Sequence, residues 1–441
     1  MKILLCSPLI LDQYHAGYES NIKAFFHNTF LKMSYSKSLS LEMLAGVTPP
    51  EHEVEILKNT YKNINFDKKF DLVGIHCVTG DSSLVYKVAD MFRSKGIKVV
   101  LGGYHPSALP IEAKMHADSV VIGEAERIWP NLLKDFENGK MKPFYQDEKP
   151  VDPTQIPYQN FLSSEPFFPA IQASRGCPYQ CEFCSETIIN SRKLFRPRPV
   201  EKVIKEIKSI PGKLFVFHDP SLTISPEYTK KLFREMIGLN KLFFCNGNAD
   251  ILGRDDELLQ LAKRAGCIGW LVGFESISQD SLVSVGKKTN KVEDYNVAVK
   301  KIHENQMMLC GTFVFGFDHD DIDVFNRTKE FVETSEIDIP DALILTPFPG
   351  TPLFKRLEKE GRIITKDWSK YDHKHVVFQP KHMTPEELLN NTRNLYKEYY
   401  SIPKIIKRIL KSIKLGYHPF MTVFIPSLMM ATVEMNVDLR F

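Results

Sequence analysis

Three cysteines close together in the sequence, Cys177, Cys181 and Cys184, have the residue type and the spacing to hold a metal centre. They follow Ser174-Arg175-Gly176, which we expect to be polar and flexible, and no fourth cysteine lies in the same loop. Iron–sulfur clusters are held by cysteine thiolates, whereas a structural zinc ion normally has four protein ligands. The spacing therefore indicates an iron–sulfur cluster with one iron left open to a small molecule. The alternatives are a zinc site completed by a distant residue such as His218, or three unrelated thiols.

The composition limits the classes of function. The 441 residues are enough for two or three domains, and a net charge of +3 is too small to indicate nucleic acid as the main partner. The other five cysteines stand singly in apolar surroundings, which indicates buried side chains and a reducing compartment, the cytoplasm. The apolar run at residues 2–11 contains Pro8 and is better explained as a first buried strand than as a signal peptide. No run reaches the ~20 apolar residues that a membrane-spanning helix needs.

The first part of the chain alternates strand-like and helix-like segments. Helical patterns occur at residues 83–95 and 124–136, and apolar strand-like runs occur at residues 2–6, 53–57, 71–78, 98–102 and 119–122. This alternation predicts a doubly wound parallel sheet, which binds ligands at the carboxyl ends of its strands. Glycine and polar residues collect at those ends, at residues 79–81, 102–107 and 123–126.

A second series of alternating segments contains the cysteines. It follows a proline-rich linker at residues 146–168 and has strand-like runs at residues 170–174, 213–218, 242–246, 269–274, 308–315 and 341–346. Helical patterns lie between them at residues 200–209, 226–237, 255–265, 292–304 and 322–334. Six β/α units over residues 169–380 predict an open, partial (β/α)6 barrel of the TIM type, with its chemistry at the strand C-termini.

The cysteine spacing resembles the signature of radical S-adenosylmethionine (SAM) enzymes. The resemblance implies a [4Fe-4S] cluster held by the three cysteines, with SAM bound to the open iron. It also implies SAM-binding residues at the strand ends: Asp219, where related proteins often have paired acidic residues, Asn248, and Glu275 with Ser276 in a GxES-like element. The glycine-rich residues 311–316 are expected to lie close to the adenine ring.

The strand ends of the first sheet resemble the cobalamin-binding domain that precedes many radical SAM domains. Gly102, Gly103 and His105 match its GGxHPT element, although serine replaces the threonine. Gly123 and Glu124 match its IGEGE element, although alanine replaces the middle glycine. The resemblance implies a Rossmann-like cobalamin-binding domain over residues 1–145. The alternative is a flavodoxin-like sheet that only supports the second domain.

One segment of the first domain resembles a cobalt-binding motif but does not match its spacing. Residues 12–17 contain the letters of the D-x-H-x-x-G signature, in which histidine ligates cobalt from below, but His15 is one position late. We expect His15 to be an ordinary loop residue. The lower axial ligand is therefore left open.

The C-terminal residues 381–441 are predicted to form a helical extension. Residues 401–414 place isoleucine and leucine on one helical face and lysine and arginine on the other, and residues 420–431 are apolar. Such a basic amphipathic helix can lie on an anionic membrane, which would give peripheral membrane contact through residues 401–431 and access to a lipid substrate. The alternative is a helix packed on its own barrel with a solvated basic face.

Taken together, the resemblance implies a cobalamin-dependent radical SAM enzyme, and a methyltransferase acting on an unactivated carbon fits it best. In that family, SAM methylates cobalamin, and a second SAM gives the radical that activates the substrate carbon. The substrate would be a small molecule or a lipid, and the reducing partner a flavodoxin or ferredoxin. A cyclase or rearrangement enzyme without methyl transfer is the first alternative, and a non-catalytic cobalamin or metal sensor is the second. Four aromatic residues, Phe217, Phe244, Trp270 and Phe315, could line an apolar pocket or pack in the core.

Overall fold

The computed structural model describes residues 1–9, 39–60, 64–147, 149–157 and 169–417. The sequence expectations for His15 and for residues 420–431 lie outside these ranges.

The first domain is a six-stranded parallel sheet in the order β2-β1-β3-β4-β5-β6. Its central strands read as continuous apolar runs because helices cover both faces of the sheet, so that the side chains of Leu72, Val73 and Ile75 are all buried. The strands are β1 (Lys2–Leu9), β2 (Glu53–Thr60), β3 (Leu72–His76), β4 (Lys98–Gly102), β5 (Ser119–Ile122) and β6 (Phe144–Gln146). The helices are α1 (Leu39–Val47), α2 (Ser82–Ser94), α3 (Tyr104–Ala108), α4 (Pro110–Met115) and α5 (Trp129–Glu137).

The second domain is another six-stranded parallel sheet, in the order β14-β13-β12-β11-β10-β7. Strands β7 and β14 are both edges, so the barrel is open, as predicted. The strands are β7 (Ala170–Ile171), β10 (Leu214–Phe217), β11 (Leu242–Gly247), β12 (Cys267–Glu275), β13 (Met308–Phe315) and β14 (Ile339–Ile344). A separate antiparallel pair, β8 (Ser174–Arg175) and β9 (Arg196–Pro197), brackets the cysteine loop.

The helices of the second domain alternate with these strands and continue beyond the barrel. They are α6 (Val200–Ser209), α7 (Pro226–Met236), α8 (Ala249–Arg254), α9 (Asp256–Ala265), α10 (Gln279–Ser284), α11 (Tyr295–Glu304), α12 (Val324–Thr334) and α13 (Pro352–Lys359). The predicted helical extension is formed by α14 (Pro385–Tyr399) and α15 (Ile402–Lys414). Helix α14 begins with a capping box between Thr384 and Glu387 and packs along β14.

The structure corrects one helix boundary and adds elements that the pattern did not predict. The helix expected at residues 124–136 begins only at Trp129, because Glu124 is held in ion pairs and Pro130 favours the first turn of a helix. The unpredicted elements are strands β6 and β9 and helices α1, α3, α4, α8, α10 and α13. They are short, and a short element carries too few periods for its pattern to be recognised.

No helix within the described ranges is both long enough and apolar enough to cross a membrane.

Candidate active site

The cysteine loop lies between β8 and β9, and its backbone is fixed by the segment that returns to β9. Cys177 N donates to Arg192 O at 2.7 Å. Gly176 has a φ of +80°, and a Cβ atom there would lie 2.1 Å from Leu194 O, so that only glycine fits. Ser174 and Arg175 are almost completely buried. The expectation of a flexible segment before the cysteines is therefore wrong, because the return strand and the first domain cover it.

The three thiols suit an iron–sulfur cluster better than a single ion. All are free; Cys181 is buried, and Cys177 and Cys184 are half-buried. Across the part of the chain that the structure describes, His218 included, no three His, Cys, Asp or Glu side chains converge on one ion. A structural zinc ion needs four convergent ligands, whereas a cubane binds each thiolate at a separate iron. The donor set fits the three-cysteine cluster that the sequence predicts.

A half-buried lysine lies beside this loop. Burial raises the pKa of all three thiols, that of Cys184 to about 12, but the positive charge of Lys287 opposes the shift at Cys177 and Cys181. Desolvation also lowers the pKa of Lys287, but the charges of Glu275 and the thiols outweigh it, so that the net shift is upward. A cation at this point favours a negatively charged cluster. No sequence pattern singled out Lys287.

Glu275 is brought to the cysteine loop through Lys287. Its Oε1 accepts a hydrogen bond from Lys287 Nζ at 2.8 Å, and its φ is +62°. A non-glycine residue with this backbone conformation is strained, and such residues cluster at functional sites. The neighbouring Ser276 is buried, and its Oγ accepts a hydrogen bond from Ser278 N at 3.0 Å. Contact of Glu275 and Ser276 with SAM stays a prediction.

The two other candidate SAM residues differ in their surroundings. Asp219 is buried, and its carboxylate accepts hydrogen bonds from Ala173 N at 3.0 Å and Ser174 N at 2.5 Å. Burial raises its pKa to about 6 in spite of these bonds. Asp219 therefore holds the backbone that leads into the cysteines. Asn248 lies against Tyr179 of the cysteine loop, and its side-chain amide opposes the rise in the pKa of Tyr179 that burial causes. Contact of Asn248 with SAM stays a prediction.

The glycine turns of the first sheet form a cradle. Ser107 Oγ donates to Gly103 O at 2.7 Å and accepts from Gly123 N at 3.0 Å, so that one hydroxyl ties the ends of β4 and β5 together. Gly102 ends β4, and the nearest atom to its Cβ position, Val121 Cβ, is 3.7 Å away. Gly123 has a φ of +92°, and the nearest atom to its Cβ position is 3.8 Å away. A bulky ligand can approach the backbone here, which fits the predicted cobalamin.

The two other residues predicted to bind cobalamin have partners within the protein. His105 is fully buried, and its Nε2 lies 3.1 Å from Glu112 Oε1, which also accepts from Trp368 Nε1 at 3.1 Å. Glu124 is buried and accepts from Arg196 at 2.8 Å and 2.9 Å. Through these hydrogen bonds, both side chains hold the strand-end turns in place. Their contact with a cofactor stays a prediction.

Glu124 belongs to a buried group of charges that we call the arginine cluster. Its members are Arg175, Arg192 and Arg196, which flank the cysteines, with Glu124 and Glu126 of the first domain and Glu186 of the cysteine loop. The arginines hold the pKa of Glu124 down to about 2, although burial alone would raise it. Sequence reasoning missed this cluster, because arginines beside a motif give no sign of which distant acids they reach.

A second ionic group holds the other side of the cysteine loop. Glu182, between the second and third cysteines, accepts from Arg356 Nε at 2.8 Å, and Arg356 Nη1 also donates to Asp318 at 2.7 Å. Leu353 N donates to Glu182 O at 3.0 Å. Helix α13, which follows the predicted proline turn, therefore clamps the loop to the barrel.

Two expectations about the barrel interior change. Phe217, Trp270 and Phe315 point outward into the helix-packed core, and only Phe244 faces the interior. A Cβ atom on Gly311 would lie 3.0 Å from the Phe274 ring, so that this glycine makes room for a core side chain rather than for adenine. Side chains alternate along a strand, and the sequence does not show which half of an apolar run faces the interior.

Comparison with known protein families agrees with this architecture. Residues 171–332 match the model of the radical SAM superfamily, residues 38–133 match that of the B12 binding domain, and residues 351–435 match a domain of unknown function. These ranges follow the order of the two sheets and the C-terminal region.

Two relatives and one solved structure resemble most of the chain. The chain is 33% identical to bacteriochlorophyllide d C-12(1)-methyltransferase of Chlorobaculum tepidum, over 85% of each chain, and 29% identical to bacteriochlorophyllide d C-8(2)-methyltransferase of the same organism, over 89% of each. The structure of the radical SAM methyltransferase TsrM from Kitasatospora setae, with cobalamin and a [4Fe-4S] cluster bound, shares the fold with a TM-score of 0.63 at 17% identity, over 81% of this chain and 78% of that one. The chain belongs to the cobalamin-dependent radical SAM enzymes, whose cofactors are a [4Fe-4S] cluster, SAM and cobalamin.

Proposed function

We propose that this enzyme transfers a methyl group to an unactivated carbon of a mostly apolar substrate. The observation that carries the proposal is that the strand-end loops of the two sheets meet. Arg196 Nη2 donates to Glu124 Oε1 at 2.8 Å, and a Cβ atom on Gly350 would lie 2.9 Å from Ala108 Cβ. When bound, the cluster and cobalamin would supply a SAM-derived radical and a transferable methyl group. The chain must then hold the substrate between the two sites.

The inner face of the barrel supports an apolar substrate. Its side chains are partly exposed although helices cover the outside of the same strands, so that an open space lies within the barrel; examples are Val216, Phe244, Asn246, Leu271, Thr312 and Leu343. Most are apolar, and Asn246 and Thr312 offer hydrogen bonds for orientation. The two Chlorobaculum relatives are named as methyltransferases of bacteriochlorophyllide d. For this enzyme we propose a substrate whose apolar surface matches the inner face of the barrel.

Contacts between the domains support the exclusion of water from this space. Trp368, beyond the barrel, donates to Glu112 of the first domain at 3.1 Å, and the short helical turn at residues 368–370 packs on the one at residues 79–81. Protein walls around a carbon radical prevent side reactions with solvent. Thr79, Gly80 and Asp81, which the sequence placed at a ligand-binding strand end, thus meet another part of the chain.

Anaerobic reconstitution tests the proposal. The enzyme with iron, sulfide, cobalamin, SAM and a reductant is expected to form 5′-deoxyadenosine, and S-adenosylhomocysteine when cobalamin is methylated. Cys184→Ala should abolish 5′-deoxyadenosine, whereas Cys267→Ala, a buried thiol outside the loop, should retain it. Replacement of dithionite by reduced flavodoxin or ferredoxin tests the proposed electron donor.

The products also separate the alternative reactions. Deoxyadenosine and product without S-adenosylhomocysteine would indicate a cyclase or rearrangement enzyme. Cobalamin binding without any cleavage of SAM would indicate a sensor and would refute the catalytic proposal.

We further propose that α15 makes a peripheral contact with an anionic membrane. Ile405 and Ser412 pack toward the barrel, whereas Ile402, Ile406, Leu410 and Ile413 form an adjacent stripe that is 52% to 64% exposed. Lys404 and Lys411 pair with Glu333 and Asp338 of the barrel, while Lys407 and Lys414 are exposed beside the stripe. An exposed apolar stripe with flanking lysines suits an anionic lipid surface, which would give a lipid-soluble substrate a short path to the enzyme.

Sedimentation with liposomes tests this contact. Ile406→Glu with Leu410→Glu should abolish binding to vesicles that contain phosphatidylglycerol, whereas Lys300→Glu, on the exposed face of α11, should not. These point variants are preferable to removal of the helix, because Lys411 and Tyr417 also contact Asp338 under the barrel. Equal sedimentation of all three proteins would refute the contact.

A further inference from the structure

His76 stands at the crevice of the first sheet. It is the last residue of β3, and the sheet order places β3 directly beside β1. The connection after β1 leads to β2 on one side of this pair, and the connection after β3 leads to β4 on the other side. A crevice therefore opens between the carboxyl ends of β1 and β3. In sheets of this order, ligands bind at that crevice, at the carboxyl ends of the strands.

The imidazole of His76 lies over the glycine turn that ends β4. A Cβ atom on Gly103 would lie 3.1 Å from His76 Cδ2 and 2.5 Å from Cys77 O, and Gly103 has a φ of +113°. Glycine at this position therefore makes room for the Cys77 backbone as well as for the ring. His76 is half-buried, so that part of the residue stays accessible, and Val78, two residues further on, is 37% exposed.

The ring nitrogens of His76 are available to a ligand. Within the described ranges, neither nitrogen has a hydrogen-bond partner. Burial and the positive charge of Arg192 lower the pKa of His76 to about 4, so that the imidazole is neutral at physiological pH. Neutral imidazole is a common metal ligand.

The other histidines of the described first domain are placed differently. His105 is fully buried and paired with Glu112, and His116 lies 2.8 Å from Asp90 after α4. His52 precedes β2 and therefore lies at the amino ends of the strands, away from the crevice. Among the described histidines of the first domain, only His76 combines a strand-end position, a free ring nitrogen and access to the cradle.

We propose that His76 is a nitrogen ligand of cobalt on the corrin face that rests against the first sheet. The proposal depends on the binding of cobalamin by this sheet. It implies that the protein, rather than the benzimidazole base of the cofactor, supplies the lower ligand. The first domain would then fix the cobalt directly beneath the barrel mouth.

Electron paramagnetic resonance of the Co(II) form tests the proposal on the intact enzyme. Unlabelled cobalamin is bound to protein that is uniformly labelled with ¹⁵N, and cofactor loading is first measured by absorbance. A ligand from the protein should split each parallel cobalt line into a doublet, because the ¹⁵N nucleus has a spin of one-half. A triplet would show that the base of the cofactor is the ligand, and no nitrogen splitting would show that neither is. Either result would overturn the proposal, whereas SAM cleavage, measured separately, would leave the proposed reaction standing.

Variants identify the residue. His76→Gly in labelled protein should lose the doublet, and added unlabelled imidazole should restore a signal as a triplet. His218→Ala removes an exposed imidazole from the barrel side and should keep the doublet. A doublet that persists in His76→Gly would assign the ligand to another residue.

Discussion

Single hydrogen bonds and ion pairs decide the geometry of the two cofactor sites. Ser107 joins two glycine turns through one hydroxyl, and Lys287 places one positive charge between Glu275 and the cysteine loop. Neither residue was a candidate for direct cofactor contact. Both act on residues that were candidates, and each can be tested by one substitution.

Ser107→Ala should weaken the binding of cobalamin. The variant loses the bonds to Gly103 O and Gly123 N, and the loss of such bonds costs about 1–3 kcal/mol, which corresponds to roughly 5- to 150-fold in affinity. Titration with cobalamin, followed by absorbance, measures the effect. Ser107→Thr keeps the hydroxyl and should bind like the wild type. Equal affinity of the alanine and threonine variants would contradict this role.

Lys287→Met should destabilise the protein because it leaves the carboxylate of Glu275 buried and unpaired. Removal of one partner of a buried pair costs about 3–5 kcal/mol. The free energy of unfolding, measured in denaturant without cofactors, should fall by this amount, and the double variant with Glu275→Gln should recover a large part of it. Lys288→Met, at an exposed position, is the matched control and should change the free energy by less than about 0.5 kcal/mol. No recovery in the double variant would show that packing, not charge, causes the loss.

At the scale of elements, the cysteine loop is held by charged residues on both sides. The arginine cluster joins it to the strand-end turns of the first sheet, and Arg356 of α13 joins it to the barrel through Glu182. Without these ion pairs the loop would be anchored mainly by β8 and β9, which have only two residues each. The position of the cluster relative to the cobalamin cradle therefore depends on these ion pairs.

Glu124→Gln should remove a stabilising contribution that depends on pH. The pKa of Glu124 is about 2 in the folded protein and is expected near its ordinary value of 4.5 in the unfolded chain. The ionised form therefore stabilises the fold above pH 4.5, and this stabilisation is lost as the pH falls from 4.5 toward 2.

Denaturant unfolding at several pH values measures this contribution. The difference in free energy between wild type and Glu124→Gln should be constant near neutral pH and should shrink below about pH 4.5. Glu201→Gln, on the exposed face of α6, should behave like the wild type. A difference that does not vary with pH would show that the charge of Glu124 is not responsible.

At the scale of the whole molecule, the C-terminal helices complete the barrel. Leu388, Leu395 and Tyr399 of α14 are part of the barrel core, and Tyr400 OH donates to Pro340 O of β14 at 2.7 Å. Tyr417 packs with Met308 and Ile339 at the floor of the barrel. The extension that the sequence separated from the barrel is thus joined to its hydrophobic core.

Deletion of residues 381–441 should prevent stable folding. It exposes the core around β14, and each large core side chain that is lost costs about 2–5 kcal/mol, so that the sum exceeds the stability of a typical domain. Thermal unfolding followed by circular dichroism measures the result. Deletion of residues 418–441 alone keeps all the contacts described above and should unfold cooperatively. Cooperative unfolding of the longer deletion at the wild-type temperature would contradict the role of α14.

The sequence predicted the regular elements where burial is strongest. The expected strands at residues 98–102, 119–122 and 308–315 coincide with β4, β5 and β13. Strands β4 and β5 are covered by helices on both faces and therefore read as continuous apolar runs. The ends of helices were less well predicted: α5 begins after a turn that Glu124 fixes through distant arginines. Such contacts join residues far apart in the chain, and no local pattern records them.

Three cysteines at fixed spacing and two glycine turns at strand ends are local requirements of a cluster and a bulky ring cofactor, so that the order of residues alone indicates the chemistry of the enzyme. Tertiary structure alone decided which polar residues near those motifs stay free. Glu124, Asp219 and His105 match binding motifs, but their side chains form hydrogen bonds within the protein. His76, part of an ordinary apolar strand, has an imidazole without such a partner at the crevice. The reason is physical: buried polar groups must find partners, and the fold determines which partners are within reach.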